Sequence, residues 1–105
     1  MSILQCDVTE LPDAPLDAAA EFYERELPEL RDDHDIQPEC DLVLVFPAAS
    51  HEHRAWRLAA VQELARELAP TRVNGIVGDN EDAVVSTIAY LDAAPGITGQ
   101  LLALR

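Results

Sequence analysis

Lysine is absent from this chain of 105 residues; the strong cations are all arginine. That excludes a P-loop, whose lysine reaches the phosphates, and any site that sets a lysine beside a tyrosine. Glycine is scarce too, with four residues, at 75, 78, 96 and 99. No segment before Gly75 can therefore build the glycine-rich turn that lets a backbone approach a pyrophosphate. Tyrosine occurs twice, at Tyr23 and Tyr90. Cysteine also occurs twice, and Cys6 and Cys40 form no CxxC pair. Two reduced thiols in a cytoplasmic protein are expected, rather than a structural disulfide. No apolar run approaches the ~20 residues of a membrane span. The opening MSILQCDVTE has neither the basic start nor the apolar stretch of a secretory signal.

What the chain has in excess is acid. Twenty Asp and Glu face seven basic residues, for a net charge of -13. Such a surface is a poor partner for nucleic acid or an anionic membrane. The excess is lopsided, since residues 1–50 carry 13 acidic and 2 basic side chains. A composition that is 49% apolar excludes a disordered chain, and the length suits one domain, residues 1–105, with one core.

Along the chain, ILQCDV at 3–8 reads as a strand, followed by the turn-rich TELPDAP. A helix should begin near Asp17, with Leu16, Ala19, Ala20, Tyr23, Leu27 and Leu30 along one stripe. Pro28 should kink or end it, leaving 31–40 as a polar loop. LVLVF at 42–46 has no polar alternation, which predicts a strand covered on both faces. Ser50 is expected to cap a helix over 51–69, whose apolar arc is broad, and Pro70 to end it. RVNGIV at 72–77 predicts a third strand. Asp79 is expected to cap a helix over 81–93, and QLLAL at 100–104 gives a last strand after the turn APGITG. The β-α-β-α-β-α-β order predicts an α/β fold: a small Rossmann-like domain of two or three layers, with about four mostly parallel strands, three helices and right-handed crossovers.

Four constellations invite a chemical reading. The run Arg31-Asp32-Asp33-His34-Asp35 could offer metal ligands, but neighbours in a loop converge on an ion only with a defined backbone, and a solvated loop is expected. His51 and His53 lie two apart, so on a helix they diverge and cannot share an ion. Ser50 beside them lacks an orienting acid and an oxyanion hole, and capping is its simpler role. Gly75 to Asn80 could resemble a phosphate loop, but Asp79 would repel phosphate and a strand-to-helix turn is expected. Nothing cationic stands near Cys6 or Cys40 in sequence to activate a thiol.

The segment Glu67 to Leu104 resembles the C-terminal part of short-chain dehydrogenases/reductases. The match lies in Glu67–Pro70 ("ELAP"), Arg72–Asn74 ("RVN") and Thr98–Gln100 ("TGQ"). Asp7-Val8-Thr9 resembles the family's "DVT" after its third strand, which would set Asp7 beside an adenine, and Cys40–Phe46 (CDLVLVF) resembles its fourth strand. The departures are as telling. A complete member is more than twice as long and opens on a glycine-rich turn that has no counterpart here. Its catalytic pair is a tyrosine with a lysine four residues later; counted back from Pro70, those positions hold Ser50 and Arg54. Arginine keeps a charge there but supplies no phenol. The family's "NNAG" is replaced by Phe46-Pro47-Ala48-Ala49.

The resemblance therefore implies a fold without its chemistry, since function resides in the site and not in the scaffold. No catalytic, cofactor-binding or metal-binding residue is assigned, and no cofactor is expected. A non-catalytic module working through protein contacts is expected, as a homodimer that pairs the 51–69 helix through Trp56 and Leu58. The alternatives are a degenerate subunit of a full-length dehydrogenase, or a weak binder of an adenosine nucleotide near Asp7 and Pro47. Two strand orders stay open: 1-2-3-4 with helices on one face, or 2-1-3-4 with helices on both.

Overall fold

The apolar run at 42–46 sets the architecture, because its residues need cover on both sides. In the computed structural model, which describes residues 2–104, they form β2 (Asp41–Phe46) inside a parallel sheet. The other strands are β1 (Ile3–Asp7), β3 (Val73–Val77) and β4 (Leu101–Ala103). The sheet order is β1-β2-β3-β4 and every pairing is parallel. Leu42, Leu44 and Phe46 face one layer, with Val8, Val73 and Leu101 beside them. Val43 and Val45 face the other layer, with Ile76 and Leu102.

Helices α1 (Pro15–Glu21), α2 (Leu27–Ile36) and α3 (Arg54–Leu68) cover the first face, through Phe22, Leu30, Ala60, Val61 and Leu64. Helix α4 (Glu81–Asp92) covers the second, through Val84, Ile88 and Leu91. The domain is thus a three-layer Rossmann-like α/β fold. Neither anticipated arrangement holds as a whole: the order is 1-2-3-4, yet helices occupy both faces. Each connection steps one strand in the same direction, so helices on opposite faces give crossovers of opposite hand. The β3–α4–β4 crossover departs from the expected right-handed rule. The physical reason is cover. The first face is already filled, and α4 is what remains to bury Val43 and Ile76.

Pro28 does not end the first helix. Residues Phe22–Glu26 form a π turn in which the Leu27 N–H reaches the Phe22 carbonyl, and α2 then runs through Pro28 to Ile36. The widened turn absorbs the proline within a continuous helical stretch. It also aims Phe22 inward, 5.5 Å from the Trp56 ring and 6.1 Å from Phe46. Asp32, Asp33, His34 and Asp35 consequently lie on the last turns of α2 and not in a loop.

The RVN and TGQ motifs lock the second half of the sheet together. Arg72 donates from Nε to the Asp41 Oδ2 at 2.9 Å, and its backbone N–H donates to Oδ1 at 2.8 Å. Its Nη1 faces the carbonyls of Leu91 (3.0 Å), Ala94 (2.9 Å) and Ile97 (3.3 Å), closing the C-terminal end of α4. Asn74 donates from Nδ2 to the Ile97 carbonyl at 3.0 Å and accepts the Gln100 N–H at 3.1 Å. Thr98 Oγ1 accepts the Val73 N–H at 3.1 Å. Gly99, at φ 72°, turns the chain so that its N–H meets the Val73 carbonyl at 2.7 Å. A Cβ on Gly75 would stand 2.7 Å from Leu101 Cδ1 and 2.9 Å from Val61 Cγ2, so this position has room for glycine alone.

Both cysteines are free thiols. Cys6 pairs in register with Leu44, four residues along β2 from Cys40. That is about 13 Å of strand, too far to bridge. Burial, with Asp33 and Asp7 nearby, pushes the Cys6 thiol up from 9.0 to about 12.

Two predictions follow from these contacts. Arg72→Ala leaves the buried Asp41 carboxylate without its counter-charge, with only the residue-72 N–H still on Oδ1, and should cost about 3–5 kcal/mol in urea unfolding. Asp41→Ala on top of it should add little, because the pair acts as a unit. For Cys6, the folded value lies above the unfolded one, so its contribution to stability is full below pH 9.0 and fades as pH rises toward about 12. Thermal midpoints in a Cys40→Ser background should fall over that range more steeply than in a Cys6→Ser, Cys40→Ser double variant.

Candidate functional site

Open α/β sheets place ligands beyond the carboxyl ends of their strands. Here that edge gathers three loops: 8–14 after β1, 47–50 after β2 and 78–80 after β3. The third is a tight strand-to-helix turn, as expected of Gly78-Asp79-Asn80. Its cap is Asn80, whose Oδ1 accepts the Ala83 N–H at 3.1 Å. Asp79, expected in that role, instead accepts the Ala48 N–H at 3.1 Å and ties the second loop to the third. Ser50 does stand at the N-cap of the helical segment that begins at His51, but its side chain makes no capping bond.

The segment His51–His53 is a 3-10 turn leading into α3, and the two histidines part as expected. His51 is exposed, whereas His53 is buried. His53 Nδ1 accepts the Trp56 indole N–H at 3.0 Å, and Nε2 lies 2.9 Å from the Asp13 carbonyl. That pair of contacts fixes the neutral tautomer with the proton on Nε2. With both nitrogens engaged, His53 serves as a pin between loop 8–14 and α3, and it is not free to take a proton from Ser50.

Trp56 is turned the same way. Its ring packs between Phe22 and Phe46, at 5.5 and 5.9 Å. Leu58 is half-buried against the same core. The broad arc of α3 is thus largely covered by the chain's own first helical segment, which leaves Trp56 and Leu58, the contact expected from the sequence, partly exposed. The outward row of α3 is Ala55, Ala59, Gln62 and Arg66.

The residue that sequence reading missed is Arg57. It is 5% exposed, and no carboxylate lies within salt-bridge range of it among the described residues. Nη1 donates to the Pro47 carbonyl at 2.9 Å, the guanidinium carbon lies 4.9 Å from the centre of the Phe46 ring, and Nε has no partner. Burial pulls its pKa down. Arg57 and the more exposed Arg54 line a cavity of about 270 Å³ with Ala49, Ser50, His51 and His53, closed by Val77, Leu101 and Ala103. The signal available in the sequence was one cation on the inward side of a helix otherwise apolar there.

The other site readings come apart. Asp7 lies exposed at the end of β1, accepts a hydrogen bond from Gln5 at 3.0 Å, and belongs to a groove on the α4 face with Asp79 and Glu81. Pro47 directs its carbonyl to Arg57 on the opposite side, so Asp7 and Pro47 do not share one pocket. No group of three His, Cys, Asp or Glu suited to a metal ion occurs among the described residues, the Asp32 to Asp35 run included. No helix among them is long and apolar enough to cross a membrane.

A nicotinamide dinucleotide does not fit this edge. Its pyrophosphate needs free backbone amides at a helix start, yet α4 opens with Glu81 and Asp82 after Asp79. The loop after β1 holds Glu10 and Asp13 and no glycine. The positions of the family's catalytic pair, Ser50 and Arg54, stand at the start of α3 without a phenol. Tyr23 sits on the π turn beside Leu27, Arg31 and Glu63, and Tyr90 is exposed on α4 across the sheet.

Strand order also revises one part of the resemblance. In a doubly wound sheet of order 3-2-1-4-5-6, the third and fourth strands are not neighbours. Here β1 and β2 pair directly over five residues, so they sit as consecutive neighbours and Asp7 is not at an adenine-side position. Neither curated proteins nor solved structures gave a match to the chain. The family model described as "SDR-like: Short chain dehydrogenase-like protein" matches residues 6–104. With the ELAP, RVN and TGQ blocks in place on a parallel α/β sheet and nearly the whole sequence matched, the chain belongs to the short chain dehydrogenase-like family.

Proposed function

We propose that this chain is a non-catalytic member of its family that works through contacts between copies of itself. The observation that carries the reading is the replacement at the catalytic positions. Ser50 and Arg54 stand where the family's tyrosine and lysine would be, and both tyrosines lie too far around the fold to substitute. A serine hydroxyl is a far weaker acid than a phenol and has no partner here to change that. The acidic loops beyond the strands support the same reading, because they offer a dinucleotide no seat.

The contact surface follows from what α3 leaves uncovered. Trp56 packs partly buried against Phe22, and the outward row Ala55, Ala59, Gln62 and Arg66 is exposed. Small residues on that row let a second helix approach closely. Beside it runs β4, an edge strand with one side unpaired. The last strand and this helix are where the resemblance implies subunit contacts.

Sedimentation velocity should give a dimer for the native chain, and Ala59→Arg should shift it to monomer with an unchanged far-ultraviolet spectrum. A native chain that stays monomeric at high concentration overturns the self-association. Titration with NADH or NADPH should give no saturable change in cofactor fluorescence; tight binding would overturn the non-catalytic reading.

A further inference from the structure

We infer that the cavity at the start of α3 binds a small organic oxyanion, a carboxylate or phosphate ester with a short apolar tail. Four observations converge there. Arg57 is 5% exposed, its Nε is buried without a hydrogen-bond partner, and no carboxylate pairs with it among the described residues. A buried guanidinium without a counter-charge is costly, and a bound anion relieves that cost. Stacking on Phe46 and the bond to Pro47 hold the group in place but supply no negative charge.

The surroundings match this need. Arg54, His51 and Ser50 line the same cavity, and none of its lining residues is acidic. The nearest acid in sequence, Glu52, is exposed and does not line it. The groove on the α4 face, by contrast, is lined by Asp7, Asp79 and Glu81. It also opens at the N-terminal end of the 15-residue helix α3, where the dipole favours an anion. Its far wall is Val77, Leu101 and Ala103, which suits an alkyl group. A volume of about 270 Å³ admits a short acid or ester and excludes a dinucleotide.

Trp56 is the only tryptophan and its ring lies 5.8 Å from the Arg57 guanidinium carbon, so its fluorescence reports on the site. Titration with sodium hexanoate should give a saturable change at constant ionic strength, at lower concentration than acetate or inorganic phosphate. Arg54→Gln, an exposed change that leaves the core intact, should weaken hexanoate by about tenfold, the scale of one charged hydrogen bond. Arg57→Gln should weaken it at least as much, with folding checked by circular dichroism; if that variant does not fold, Arg54→Gln decides. No saturable response to hexanoate, or a response that Arg54→Gln leaves unchanged, overturns the site. Phosphate binding as tightly as hexanoate overturns the apolar tail.

Discussion

Arg72 is the tie on which the second half of the fold depends. It grips Asp41 at the start of β2, caps the end of α4 and holds the turn that leads into β4. Asn74, two residues on, binds both sides of that same turn. These contacts fix α4 to the face that needs cover and bring β4 into parallel register. The β3–α4–β4 crossover has the opposite hand to the two before it, and specific bonds hold it. They are the cluster of side-chain bonds from one short motif to α4, its exit turn and β2.

The same tie explains what the chain has kept of its family. The retained blocks are those that do mechanical duty: Arg72 and Asn74 as clamps, Thr98 to Gln100 as their receiving turn, and Pro70 closing α3. None of them touches the places where a coenzyme or carbonyl would react. The positions that would do so hold serine, arginine and acids. The residues that hold the fold and the positions of the family's catalytic pair are different residues here, so the two can be read separately.

Strands and the three main helical regions were legible because periodicity and apolar runs are local signals. The continuous run at 42–46 announced a strand buried on both faces, and it is one. What misled was context. Pro28 looked like a helix stop because the π turn that accommodates it depends on Phe22 finding a pocket against Trp56 and Phe46, a long-range condition. The broad apolar arc on α3 did not say how much of its cover comes from the same chain, which here packs Phe22 against Trp56. The caps misread by one residue at Asp79 and Asn80 reflect two good capping side chains in a row, of which one was recruited by Ala48. The cavity at the start of α3 was illegible because its walls come from three strand ends and a helix start.

Arg57 then carries a consequence for the whole surface. A chain this acidic could neutralise a buried arginine with almost any neighbour, and it does so for Arg72 through Asp41, at 2.9 Å. Around Arg57 it places alanine, valine, leucine, histidine and a second arginine instead. Removing every acid from one cavity while keeping 20 elsewhere leaves a local positive field that low-dielectric walls strengthen. The acid on much of the remaining surface sharpens the contrast, as in the groove on the α4 face with Asp7, Asp79 and Glu81.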